Sequence, residues 1–72
     1  MQSQKIIKQR IKFYYSSKEP CHIRKHGIGF IDGFIKSDIV DGLFILVEDK
    51  RKLGKSKRLF IDEIFDIQDF EK

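Results

Sequence analysis

Residues 26–40 read HGIGFIDGFIKSDIV, and residues 41–48 continue as DGLFILVE. The reading of this stretch decides the fold. Ile28, Phe30 and Phe34 occupy one phase of an extended chain, and Ile31 and Ile35 occupy the other. Both faces are therefore apolar. Gly27, Gly29 and Gly33 interrupt the run, and glycine inside a strand marks a bulge or a sharp bend. A single strand over residues 26–40, bent so that it serves two sheet faces, satisfies both facts. Asp41-Gly42 is then the hairpin turn, because a two-residue turn needs positive φ at both central positions. It leads into a third strand, residues 43–48, with Leu43, Ile45 and Val47 on one side and Phe44 and Leu46 on the other.

Working outward from this core, residues 10–15 alternate, with Ile11, Phe13 and Tyr15 opposed to Arg10, Lys12 and Tyr14. Period two with aromatics predicts a first strand. Residues 16–20 carry turn chemistry. Residues 49–57, with Gly54, read as a charged hairpin tip, and residues 58–61 as a fourth strand. Asp62-Glu63-Ile64 reads as one tight turn, and residues 65–70 as a fifth strand. Residues 3–9 form a short helix at most, with Ser3 as its cap. Five short strands with a bent second one predict an all-β fold. The expected form is a five-stranded small barrel, one domain over residues 1–72, whose closure would protect its edges. First and fifth strands would then be neighbours, setting Arg10 and Lys12 against Asp66 and Asp69.

At 72 residues, 40% apolar and 36% charged, the chain holds one thin core. It lacks the aromatic-poor composition of a disordered chain. No apolar run approaches the roughly 20 residues of a membrane span. Residues 1–10 have no stretch apolar enough for a signal peptide. Cys21 is the sole cysteine and forms no internal disulfide, so the expected location is cytoplasmic. The net charge of +4 is unevenly spread. Lys50, Arg51, Lys52, Lys55, Lys57 and Arg58 form a segment with no acid, whereas Asp62, Glu63, Asp66, Asp69 and Glu71 crowd the C-terminal end. Such asymmetry steers a polyanion to one side. The plainer alternative is solubility through abundant surface charge.

The order of elements resembles the Sm-like, SH3-type small β-barrel. The shared features are an N-terminal helix, five strands, a glycine-bent second strand, a charged loop between strands three and four, and a one-turn link before strand five. The best local match is Gly33, Asp38 and the apolar run Leu43–Leu46. Members that bind uridine-rich RNA carry an asparagine shortly after that aspartate and an Arg-Gly pair at the end of strand four. Here those places hold Asp41-Gly42 and Asp62-Glu63, so the family's RNA pocket is not carried over. The resemblance also implies assembly through strand edges, strand four (58–61) of one copy pairing with strand five (65–70) of the next.

Other chemistry is sparse. Cys21, His22 and His26 are soft-metal ligand types, but a structural zinc site wants four ligands in close pairs. Cys21 and His22, adjacent on an extended chain, point to opposite faces and make no nucleophile–base pair. Lys50–Ser56 lacks the spacing of a phosphate-binding loop. No catalytic residue, metal or cofactor is called for, and the chain is not expected to be an enzyme. What remains is cations among aromatics. The expected function is a small nucleic-acid-binding module, RNA or another single strand, without strong sequence readout. Arg10, Lys12, Lys50, Arg51, Lys52, Lys55, Lys57 and Arg58 would contact phosphates, with Tyr14 either an outward stacking platform or a ring packed under the N-terminal segment. The alternative is a protein adaptor, or a homo-oligomer, joined through strand edges without nucleic acid.

Overall fold

The computed structural model describes residues 3–27 and 29–70. Ile28, and the Glu71 counted in the acidic segment, lie outside the described residues. The chain begins with a helix, α1 (Gln4–Ser17), followed by strands β1 (Cys21–Lys25), β2 (Phe30–Ile35), β3 (Phe44–Asp49) and β4 (Ser56–Phe60). One 3-10 turn (Ile61–Glu63) then leads into β5 (Ile64–Asp69). The strands form one antiparallel sheet in the order β4-β3-β2-β1-β5.

The first strand expected at residues 10–15 is instead the second half of α1, which runs to 14 residues. Two periods compete in this segment. Ile11, Phe13 and Tyr15 alternate, but Ile7, Ile11 and Tyr14 fall at helical spacing, and those three are the residues the helix buries. Phe13 and Tyr15, the other members of the strand pattern, are left exposed. The Ser3 side chain accepts the Ile6 N–H at the N-terminus, and Lys18 closes the other end in the left-handed conformation at φ 60°. A helix of this length is marginal alone; its apolar stripe on the sheet holds it.

The strand that pairs with β5 is therefore β1, a segment not expected to be a strand. Cys21 and Ile23 point inward from it, opposite Gly33 and Ile31 of β2. The cross-strand ion pair between first and fifth strands exists, but its partners are Arg24 and Asp66, at 3.7 Å, in place of Arg10 and Lys12. In β5 the buried residues are Ile64 and Ile67, three apart. A register irregularity opposite Arg24 and Lys25 breaks the alternation there.

The long bent strand at 26–40 is also divided. Lys25 N–H reaches back to the Gly29 carbonyl at 3.0 Å, closing the turn between β1 and β2. β2 then ends at Ile35. Beyond it, Ser37 Oγ takes the Leu46 N–H at 3.0 Å, and regular pairing returns only as a bridge from Val40 to Phe44. The Asp41-Gly42 turn forms as expected, with φ of 55° and 67° and the Leu43 N–H on the Val40 carbonyl at 3.0 Å.

The inner face of the sheet carries Cys21, Ile23, Ile31, Ile35, Ile45, Val47, Leu59, Ile64 and Ile67. Ile61 joins them from the 3-10 turn, and Ile7, Ile11 and Tyr14 cover them from α1. Gly33 makes the central approach. A Cβ there would fall within the van der Waals envelope of the Glu48 carbonyl, which is main chain and has no rotamer by which to yield. At Gly29 the same atom would meet only the Lys25 side chain, at 3.3 Å. Gly33→Ala should lower stability by about 1–3 kcal/mol, the usual cost of overpacking. Gly29→Ala should stay within about 0.5 kcal/mol of the parent. Urea unfolding of the two variants side by side checks both values.

Candidate nucleic-acid interface

The β3–β4 hairpin is built by its own acids. Asp49 Oδ1 accepts the Arg51 N–H at 2.8 Å, and the Asp49 carbonyl accepts the Lys52 N–H at 3.0 Å. Glu48 Oε2 takes the N–H of Gly54 at 2.9 Å, where φ is 89°. Lys50 N–H ties the hairpin to β2 through the Asp32 carbonyl at 2.8 Å. The Arg51 amide, then its guanidinium, holds the Asp49 carboxyl below the usual carboxylate range. The two acids at the hairpin base are thus occupied in shaping the loop, and the lysines are not. Among the described residues, Lys52, Lys55 and Lys57 make no ion pair.

These lysines surround a depression of about 330 Å³. Lys25, Arg51, Lys52, Lys55 and Lys57 line it with Phe30, Ile31, Ser56 and Asp49. Five cations face one carboxylate, and Phe30, 53% exposed, presents its ring beside them. A cationic concavity with an open aromatic ring suits a strand of phosphates bearing stackable bases. Of the nine residues nominated from sequence, Arg51, Lys52, Lys55 and Lys57 are brought together here. Lys50 stands beside them but turns its ammonium onto the Phe70 ring, 4.2 Å from its centre. Arg58 lies on the other face of β4, over Phe44 at 4.7 Å.

The three nominated residues of α1 stand apart. Arg10 donates to the Ile67 carbonyl at 3.1 Å. Lys12 borders a shallow surface hollow with Lys8, Asp38, Ile39 and Gly42, which shares no lining residue with the cationic depression. Tyr14 is not an outward platform: it is 3% exposed and its hydroxyl donates to Asp69 Oδ1. Burial, then the Asp69 carboxylate, pushes the phenol up from its ordinary range. Lys25 and Phe30 were not nominated. With both phases of residues 28–35 apolar, the sequence did not mark Phe30 as outward, and Lys25 comes beside the hairpin only because residues 21–25 form a strand.

Cys21 and His22 do diverge across β1. His22 Nδ1 meets Asp32 Oδ1 at 2.5 Å on the outer face, while Cys21 is fully enclosed in the core. Among the described residues, no group of three or more His, Cys, Asp or Glu stands close enough to hold a metal ion. No helix among them is long and apolar enough to cross a membrane. Comparison with known proteins returns no match: no family model, no curated protein and no solved structure matches the chain.

Burial, reinforced by the nearby Asp32 and Asp69 carboxylates, raises the Cys21 thiol to about 12. The fold therefore holds the un-ionised thiol. Its contribution to stability is complete below the ordinary thiol value of about 8.5 and is lost as pH climbs toward the raised one. At pH 8 the native thiol should react with iodoacetamide about a thousandfold more slowly than the urea-unfolded chain, since the thiolate is the nucleophile. The two alkylation rates test this.

Proposed function

We propose that the protein is a small nucleic-acid-binding module that holds a single strand, RNA preferred, along the cationic depression at the β3–β4 hairpin. The observation that carries this reading is the convergence of Lys25, Arg51, Lys52, Lys55 and Lys57 around the exposed Phe30 ring. Phosphates lie against the cations, and a base stacks on Phe30. Contacts of this kind fix position more than sequence. Lys50 and Arg58 flank the track; Arg10 and Lys12 lie outside it.

The preference for RNA over DNA rests on the Sm-like resemblance. Consecutive antiparallel strands, with edge strands β4 and β5 joined by a single 3-10 turn, support the small-barrel reading that goes with it. A second reading, assembly through strand edges, draws on the apolar surface beside β4. Leu43 and Phe60 are 56% and 43% exposed there, and Phe60 meets Phe44 edge-to-face. Sedimentation velocity without nucleic acid tests it: a single species at monomer mass at about 100 μM removes the homo-oligomer.

A labelled oligouridylate should bind at low ionic strength, with log K falling against log[salt] at a slope of about −3 if four phosphates are neutralised. The triple change Lys52→Gln, Lys55→Gln, Lys57→Gln should reduce that slope by about 2. Phe30→Ala should cost about 1–3 kcal/mol with the slope unchanged, since stacking releases no counterions. Arg10→Gln with Lys12→Gln should leave binding nearly unaltered. Fluorescence anisotropy across a salt series reads all four; absence of binding at about 20 mM salt overturns the nucleic-acid reading.

A further inference from the structure

Phe30 borders a second depression, which runs over the outer face of β1 and β2 to the end of β5, where Asp69 reaches it from the opposite face. His22, Asp32, Gln68, Asp69 and Phe70 complete its lining. The ring of His22 lies 5.1 Å from that of Phe30, tilted by 36°. Phe70 is fixed by the Lys50 ammonium over its ring. Resting on the nucleic-acid reading above, we infer that this second depression is a base pocket. It selects guanine over uracil, while the phosphate of the same nucleotide lies in the cationic depression across Phe30.

The polarity of the site follows from charge. Asp32 and Asp69 repel a phosphate from the outer pocket, and the five cations on the other side of Phe30 attract one. A nucleotide straddling Phe30 is therefore oriented, with its base outward and its phosphate toward the hairpin. Base preference follows from the hydrogen-bonding inventory. His22 Nδ1 and the Tyr14 hydroxyl each engage one oxygen, Oδ1 of Asp32 and Oδ1 of Asp69. Their second oxygens make no hydrogen bond among the described residues, and the Gln68 carboxamide is exposed beside them. The pocket thus has a surplus of acceptors. Guanine brings adjacent N1–H and N2–H donors to one edge, the arrangement a carboxylate pairs with best. Uracil sets two carbonyl oxygens around a single N–H, and those oxygens would face carboxylates.

Hexaribonucleotides UUUUUU and UUGUUU, each carrying the same 5′ fluorophore, test this by anisotropy on the full chain at low salt. The guanosine-containing hexamer should bind about tenfold more tightly, at the lower end of what paired base-edge hydrogen bonds give. Asp32→Asn keeps an acceptor for His22 but turns a donor into the pocket and removes a charge that opposes uracil oxygens, so it should abolish the difference, in part by tightening UUUUUU. Gln68→Ala, at an exposed position, should reduce the difference without affecting the fold. Equal binding of the two hexamers, or a preference that survives both substitutions, overturns the base pocket while leaving the nucleic-acid reading intact. Failure of both hexamers to bind overturns both readings.

Discussion

The close passage of the β3 main chain over Gly33 is the constraint on which the rest of the molecule depends. With so short a chain, one sheet and one helix must enclose the interior, and β2 and β3 draw together at Gly33, where no side chain stands between the two backbones. The Glu48 carbonyl occupies the place of the missing Cβ. Ile31 and Ile35 on either side are thereby turned into the same interior as Ile45 and Val47. The next residues of β3 inherit that position. Asp49 lies opposite Gly33, and Lys50 is bonded to the Asp32 carbonyl. The hairpin therefore leaves the sheet directly beside Phe30, and the cationic depression is a geometric result of the crossing.

Electrostatics divides the acids from the bases by task. Glu48 and Asp49 shape the hairpin, Glu63 accepts the Phe60 amide, Asp66 faces Arg24 and Asp69 accepts the Tyr14 hydroxyl. The carboxylates are largely engaged in holding local structure. Among the described residues Lys52, Lys55 and Lys57 make no ion pair, which concentrates at that end of the sheet the excess of bases that gives the chain its net charge of +4.

The parts of this arrangement that were legible in the sequence are those governed by local rules. Asp41-Gly42 specifies its turn by backbone sterics alone. Gly33 was marked by its position within an apolar run, and the tight link before β5, expected at residues 62–64 and found at Ile61–Glu63, by its brevity. Residues 10–15 were not legible, because six residues satisfy a strand period and a helix period equally. Only the partner surface decides between them: Ile7 extends the helical stripe and finds the sheet beneath it. That error displaced the first strand, and with it Lys25 and Phe30, from the site. Tyr14 went wrong for the same reason, since on a helix its ring turns inward. The hairpin lysines survived the error because their position depends on β3 and β4, both recognised as strands, although β4 begins at Ser56 and ends at Phe60 where residues 58–61 were expected.

The 3-10 turn has a further consequence for how this protein tolerates crowding. β4 borders the sheet, and an uncovered border with unpaired amides is a template for runaway polymerisation. Glu63 folds back and occupies the Phe60 amide, while Lys57 and Arg58 place positive charge along the rest of the same strand. Two copies meeting β4 to β4 would find one amide already taken and like charges opposed. The Glu63 carboxylate three residues past the strand and the two cations along it thus both oppose direct β4-to-β4 pairing.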